Sequence, residues 1–279
     1  MKRLQKTAAD DATEAGKPDR QFVTALARGL EILRCFNSAR TELGTMEISK
    51  LSGLPQPTVW RLCHTLVKLG YLAPSPSGDK LRIGMGVLSL GYSALATLDV
   101  GEIAQHGMQR LADDHRAASS LAAADRLDMV IVRRATAANA VLLVNLHVGS
   151  RLDMASSSFG WAYLAVVPQD TRAHLLAQLK QRHGTSWPEI LGRIRSAQDM
   201  YEKRGYILNS GFYHRDINAI AVPVAPANGG QIMSLNIGGP AAQVPVKQLE
   251  REVAPQLIEL AGVLRAALEQ GGTRPPAFS

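Results

Sequence analysis

Apolar residues return at 22/23, 26, 30, 33 and 36, which predicts an amphipathic helix over Phe22–Phe36. A second, short helix is predicted over Thr45–Ser52, capped near Thr45 with Ile48 and Leu51 turned inward. In a third, Val59, Leu62, Leu66 and Leu69 make the apolar stripe. It runs from Pro57, at the first helical position, to Leu69, where Gly70 stops it. Gly53-Leu-Pro-Gln-Pro-Thr58 is the turn between the last two helices. Away from the stripe lie Gln56, Thr58, Arg61, His64, Thr65 and Lys68, hydrogen-bonding or cationic groups with almost no acid among them. A short helix, a tight turn and a helix with one oily and one donor-rich face form a helix-turn-helix, the arrangement that presents a reading surface to a DNA major groove. Tyr71–Pro74 and Lys80–Gly84 flank Ser75-Pro-Ser-Gly-Asp79, so two strands around a turn follow and add a wing.

Met85–Leu98 is apolar and long enough for a helix, with few charges to keep it soluble alone. It reads as a linker helix packed against its own copy in a second subunit, or else buried in the core of one monomer. Beyond Asp99 the pattern changes. Val100–His115 is helical, and β-like runs begin at Ser119, Met129 and Val141, the last ending at His147. The first two are joined by a turn at Arg126–Asp128. Helices are predicted near Phe159–Val166, Thr171–Gln181 and Glu189–Lys203. Strands over Ile217–Val224 and Gln231–Ile237 surround Pro226-Ala-Asn-Gly-Gly230, and a closing helix spans Val246–Glu269. The mixture of hairpins and helices indicates an α+β fold with an antiparallel sheet. The expected organisation is a disordered arm over 1–20, a winged helix-turn-helix over 21–84, a linker helix over 85–99, a second domain over 100–271 and a tail over 272–279.

Charge sharpens this picture. The net charge is +7, and from Arg20 to Ile83 nine Lys/Arg stand against four Asp/Glu. An excess of five in under a quarter of the chain suits a polyanion partner, although a solvated basic surface would look the same. Cys35 and Cys63 lie inside helical patterns and make neither a disulfide framework nor a zinc cluster. No run is long and apolar enough for a bilayer, and Met1–Arg20 lacks the apolar core of a secretory signal, so a cytoplasmic location is expected.

These segments resemble the IclR family of bacterial transcriptional regulators. The resemblance rests on Ala27-Arg28-Gly29-Leu30-Glu31-Ile32-Leu33-Arg34-Cys35-Phe36, on Gly53-Leu54-Pro55-Gln56-Pro57-Thr58-Val59-Trp60-Arg61-Leu62, and on Lys80–Gly84 followed by Leu88-Ser89-Leu90-Gly91. In the second half it rests on Ser157–Ala165, Gly211, Asn218–Val224 and Ser234–Pro240. The family usually has Ser where Pro57 stands and Tyr where Trp60 stands. The resemblance implies a GAF-like effector domain that binds a small metabolite between sheet and loops. It also implies dimers that often pair into tetramers, and ligands that are commonly small carboxylic acids, aromatic or central metabolites. The expected partners are therefore double-stranded DNA with a pseudo-palindromic site, a small organic acid and a second copy of the chain. No cofactor, metal or membrane partner is expected.

For DNA, the candidates are Gln56, Thr58, Trp60, Arg61, His64 and Thr65. Arg61 suits guanine, Gln56 suits adenine, and Thr58 with the helix N-terminus suits a phosphate. Trp60 is expected to pack on the second helix in preference to touching DNA. Arg28, Lys80 and Arg82 are expected to steady the DNA backbone from the first helix and the wing. For the effector, Ser157, Ser158 and Phe159 open a helix whose N–H groups suit a carboxylate, or else the serines only cap it. The resemblance adds Asn236 and Gly238 on a strand lining the pocket, Asp216 and Asn218 at the entrance of the preceding strand, and Phe159, Val141 and Leu143 as apolar wall. Two alternatives stand beside this reading. In one, the second domain only oligomerises and binds no ligand. In the other, more remote, Ser156–Ser158 with His147 or His214 and Asp153 or Asp216 make a serine hydrolase, for which the Gly-x-Ser-x-Gly elbow is missing.

Overall fold

The computed structural model describes residues 21–271 except 38, 77, 97–100 and 142–144. The expected arm and tail, the end of the linker helix and Leu143 lie outside these. The chain divides into two units, the first ending at Ala94 and the second beginning at Leu95.

The first unit consists of α1 (Thr24–Arg34), β1 (Glu42–Leu43), α2 (Thr45–Ser52), α3 (Gln56–Lys68), β2 (Leu72–Pro74) and β3 (Leu81–Ile83). The three helices bury Ile32, Ile48, Val59, Cys63 and Leu66 together with Leu43 and Leu72 from the strands. Full burial of each aliphatic side chain contributes about 1.5–3 kcal/mol. On α1 the expected stripe is out of phase: Phe22, Val23, Leu26 and Leu30 are exposed, and the buried helical positions are Gly29 and Ile32, because the face that meets α2 and α3 is set by those helices and not by the spacing within α1. On α2 and α3 two expected core positions also fall outside this cluster: Leu51 is 45% and Leu69 is 62% exposed. Both sit at the final turn of their helix, and Cys63 fills the inward position of α3 instead. The cap of α2 also differs from expectation. Gly44 is the N-cap, Thr45 is the first helical residue, and the Gly44 N–H donates to Glu47 Oε2 at 2.8 Å. That bond, then Lys80 at 3.7 Å, holds the Glu47 carboxyl below its usual range. Gly53 closes α2 with φ +69°, the left-handed geometry that lets the chain turn sharply into α3. Pro57 is the second residue of α3, not the first. The two predicted wing strands are present, and β1 adds a third, in the order β1-β3-β2. A two-residue strand carries no periodicity to read.

Both cysteines are free and buried in this core. Burial pushes the Cys63 thiol up to about 11 and raises Cys35 as well, so neither is a reactive thiolate near neutral pH. The linker helix, α4 (Gly86–Ala96), leaves Met85, Leu88, Leu90 and Tyr92 exposed.

The second unit follows with α5 (Gly101–His115), β4 (Ala118–Asp125), β5 (Asp128–Thr136), β6 (Arg151–Asp153), α6 (Ser158–Val166), α7 (Gln169–His183), α8 (Trp187–Arg204), β7 (Ile207–Ser210), β8 (Ile217–Val224) and β9 (Met233–Pro240). A helical turn α9 (Val246–Gln248), a π-helical segment over Leu249–Val253 and α10 (Ala254–Gly271) close it. Six strands make one antiparallel sheet in the order β6-β5-β4-β9-β8-β7. The alternation of side chains gives it two cores. Leu121, Ile220, Val222, Leu235 and Ile237 pack with α5 and α10 on one face. Ala122, Met129, Ile131, Ile207 and Ala221 pack with α6 and α8 on the other. Of the strand expected over Val141–His147, no described residue is extended in the sheet; β6 holds the edge instead. That edge is tied to α7 through Asp128, which accepts from Arg151 and Arg182. Burial pushes the Asp128 carboxyl up, but these two hydrogen bonds outweigh it and hold it below its usual range. Among the described residues, no helix is long and apolar enough to cross a membrane.

Candidate functional site

Two sites emerge, one in each unit. On α3 the exposed face carries Gln56, Trp60, Arg61, His64 and Thr65. The apolar stripe is consumed by the core, so the donor-rich side is what remains for a partner. The Trp60 indole, expected to pack on α2, is 61% exposed. It stacks instead on the His64 ring, one helical turn along, at 5.7 Å between centroids and 13° between planes. Arg28 from α1 joins Thr58, Trp60, Arg61, His64 and Thr65 around one shallow cleft. Gln56 stands outside that cleft at the start of α3. On the wing, Lys80 pairs with Glu47, and the Arg82 Nε donates to the Pro74 carbonyl at 3.4 Å. Among the described residues, no carboxylate lies within ion-pair distance of Arg28 or Arg61, which leaves both cations available to an anion.

The second site is a cavity of ≈ 70 Å³ on the α6 face of the six-stranded sheet, larger than a single water requires. Its floor follows from register. Asn236 on β9 pairs with Ser120 on β4, and Ser120 pairs with Arg134 on β5. In the next row Ala118, Gly238, Ala219 and Asn209 pair across β4, β9, β8 and β7. Three of these four are Ala or Gly, so the sheet has no bulk there and space remains above it. The roof is the start of α6. Ser157 is its N-cap, accepting from the Gly160 N–H at 3.1 Å, so this serine is indeed a cap. The Ser158 and Phe159 N–H groups belong to the first turn and have no carbonyl within the helix to bond. Ser158 Oγ accepts from Asn236 Nδ2 at 3.1 Å, which joins roof to floor. The Ser234 hydroxyl donates to the Phe159 carbonyl at 2.9 Å and makes a second tie at the next residue of α6. Val141, Leu146, Leu152 and Phe159 supply apolar wall.

Of the residues expected here, Val141, Ser157, Ser158, Phe159, Asn236 and Gly238 line the cavity. Asn218 and Asp216 do not. Asn218 lies between Ile217 and Ala219, which face the cavity, so alternation turns its amide to the opposite side. There it donates to the Val244 carbonyl at 3.1 Å and accepts from the Ser210 hydroxyl at 2.8 Å. Asp216 precedes β8, is exposed, and meets Arg215 at 3.5 Å.

Sequence models of two domains match this chain: the IclR helix-turn-helix domain over residues 25–76, and the C-terminal domain of the bacterial transcriptional regulator IclR over residues 92–265. The chain belongs to the IclR family. It is a DNA-binding transcriptional regulator with an effector-binding C-terminal domain, and the family is one of regulators, not enzymes. The chain is similar to the HTH-type transcriptional regulator TsaQ1/TsaQ2 of Comamonas testosteroni, 32% identical over 256 residues that cover 91% of each chain. The crystal structure of an IclR-family regulator from Brucella abortus is 41% identical with a TM-score of 0.80, covering 91% of this chain and 95% of that one. An IclR homologue from Microbacterium hydrocarbonoxydans, solved in complex with 4-hydroxybenzoate, is 26% identical with a TM-score of 0.72 over 88% of this chain and 99% of that one.

Four polar residues of this IclR cavity were not among those expected: Ser120, Arg134, Asn209 and Tyr213. Asn209 lies on β7, a four-residue strand not anticipated. Its amide donates to the Ser156 carbonyl at 2.8 Å and its oxygen accepts from the Tyr213 N–H at 3.2 Å. Burial pushes the Tyr213 phenol above its usual range. Arg134 was hidden by a change of register. Plain alternation from Met129 and Ile131 would put Arg133 on the cavity face. A bulge lets Ala122 pair with Ile131 and Leu121 with Arg133, so Val132 is the extra residue and Arg134 takes that face.

Proposed function

We propose that this IclR-family regulator binds a pseudo-palindromic operator as a homodimer or dimer of dimers, and that a small organic acid in the C-terminal cavity changes its operator affinity. One observation carries the ligand half: a cavity roofed by the first turn of α6 and floored by Asn236 and small residues, in a chain similar to a homologue solved with 4-hydroxybenzoate. Backbone N–H groups at a helix start favour an anion. The acid acts through its differential affinity for the DNA-competent and DNA-incompetent states of the protein. The deciding experiment is a gel-shift titration of operator DNA with and without small acids. Operator affinity that no acid changes would favour a second domain that serves assembly alone.

On the DNA side, Arg61 reads a base, with Gln56, Thr58, His64 and Thr65 beside it and the Trp60–His64 stack presenting an apolar edge. Arg28, Lys80 and Arg82 contact phosphates. Arg61→Ala should weaken operator binding by about 1–3 kcal/mol and relax specificity at one base position. Equal weakening on operator and scrambled DNA would reassign Arg61 to a phosphate.

The apolar, exposed α4 segment supports assembly through the linker. Light scattering at micromolar concentration should give at least twice the chain mass of 30.0 kDa. A monomer that still binds operator tightly would contradict the dimer.

A further inference from the structure

Arg134 occupies an unusual position for a cation. It lies on the fifth strand's cavity face, half-buried, beside Ser120, Asn236 and Ser158. Its Nη1 donates to the Ser120 hydroxyl at 2.9 Å. Among the described residues, no carboxylate lies within ion-pair distance of it. By contrast, Arg151, Arg182 and Arg204 each have an acidic partner. Burial lowers the Arg134 pKa from its ordinary value, but a guanidinium does not deprotonate in a protein, so the group stays charged. A partly desolvated cation with one neutral hydrogen-bond partner is costly to keep, and an anion entering the cavity would relieve that cost.

We infer that Arg134 is the charge-reading group of the cavity: its guanidinium fork holds the carboxylate of the effector, with Ser120 fixing the fork's orientation. This rests on the proposed effector role of the cavity and adds to it the residue that anchors the acid and tells it from a neutral analogue. A guanidinium has five N–H donors, and the bond to Ser120 uses one, so a two-pronged pairing with a carboxylate remains open to it. The N–H groups of Ser158 and Phe159 carry only partial charge and serve as secondary donors. Asn236 already spends one amide hydrogen on Ser158 and contributes a polar contact without charge. An uncharged ligand of the same shape would leave the guanidinium unpaired, so the site discriminates acids from their amides. Phe159, Leu152 and Leu146 bound the remaining space with apolar surface, which suits a short or planar hydrocarbon body behind the carboxylate.

The test is calorimetry and thermal melting on the full chain with pyruvate, succinate, benzoate and 4-hydroxybenzoate, each beside its primary amide. At least one acid should bind the parent protein and raise its melting temperature, and the matching amide should bind about 10- to 150-fold more weakly. Arg134→Met should weaken that acid by a similar factor and remove the preference over the amide. Its ligand-free melting temperature should not fall, because the substitution removes an unpaired, partly buried charge. Arg134→Lys keeps the charge but loses the fork and should lie between the two. If the acid binds Arg134→Met and Arg134→Lys as it binds the parent, or the amide binds the parent equally well, Arg134 is not the anchor, while the effector reading stands. If no acid binds the parent at all, the effector reading fails and this inference fails with it. If Arg134→Met does not fold, the acid–amide comparison on the parent and the Arg134→Lys titration still decide.

Discussion

Ala219→Phe should abolish effector binding while leaving the domain folded. Ala219 pairs with Gly238 and Asn209 in the row of small residues that gives the cavity its depth. Its methyl makes no hydrogen bond that a replacement would break. A phenyl ring growing from this strand position enters the space a ligand would use and meets the apolar wall of Phe159 and Leu152. Filling an open cavity costs less than overpacking a closed core, for which the penalty is about 1–3 kcal/mol. Ligand affinity should fall by two orders of magnitude or more, about 3 kcal/mol, with the melting temperature nearly unchanged. Operator binding should then be insensitive to the acid that modulates the parent. Calorimetry and gel-shift titration of the variant check this. An unchanged ligand affinity would move the effector site elsewhere.

Gly160→Ala should be the most damaging small substitution in the second unit. Intrinsic propensity predicts the opposite sign, since alanine is favoured over glycine inside a helix by about 1 kcal/mol. Contact decides otherwise. A Cβ at residue 160 would overlap the Met154 carbonyl oxygen and lie 2.5 Å from the Met154 Cα. These are backbone atoms, so no side chain can swing aside. The turn they belong to is fixed from several directions. The Met154 N–H donates to the Leu127 carbonyl at 3.1 Å, the Trp161 indole donates to the Ala155 carbonyl at 2.7 Å, and Asn209 holds the Ser156 carbonyl. Relieving the clash means displacing α6, which roofs the cavity and packs on the sheet. The expected destabilisation is about 3 kcal/mol, at the upper end of overpacking penalties. In a unit of this size that lowers the melting temperature by roughly 6–12 °C. Thermal denaturation followed by circular dichroism measures it, and a melting temperature equal to the parent's would refute the argument.

Much of this protein was legible in its sequence, and the legible parts share a cause. The inward Ile48, Val59 and Leu66, the turn at Gly53, the wing hairpin and the pairing of β8 with β9 all follow from local rules of periodicity and turn chemistry. So does the N-cap role of Ser157. Neighbours within a few residues set these features, and a linear sequence displays such neighbours directly. The donor-rich face of α3 was legible for the same reason, because whatever the apolar stripe does not use is left for a partner.

The tertiary structure decided what depends on distant neighbours. Leu51 and Leu69 keep the helical spacing yet stand exposed, because a core residue needs a facing element as well as the right phase. Trp60 stands exposed and stacks on His64. β7 and β1 are too short to show a period, and they exist because longer strands accept them at an edge. The cavity depends most on long-range order. Asn218 and Asn236 look equivalent on their strands, but register turns one to the Val244 carbonyl and the other to the ligand space. One extra residue at Val132 turns Arg134, in place of Arg133, toward the same space. A shift of one residue reverses every side chain beyond it, and that shift is fixed by pairing with β4, not by anything within β5 itself.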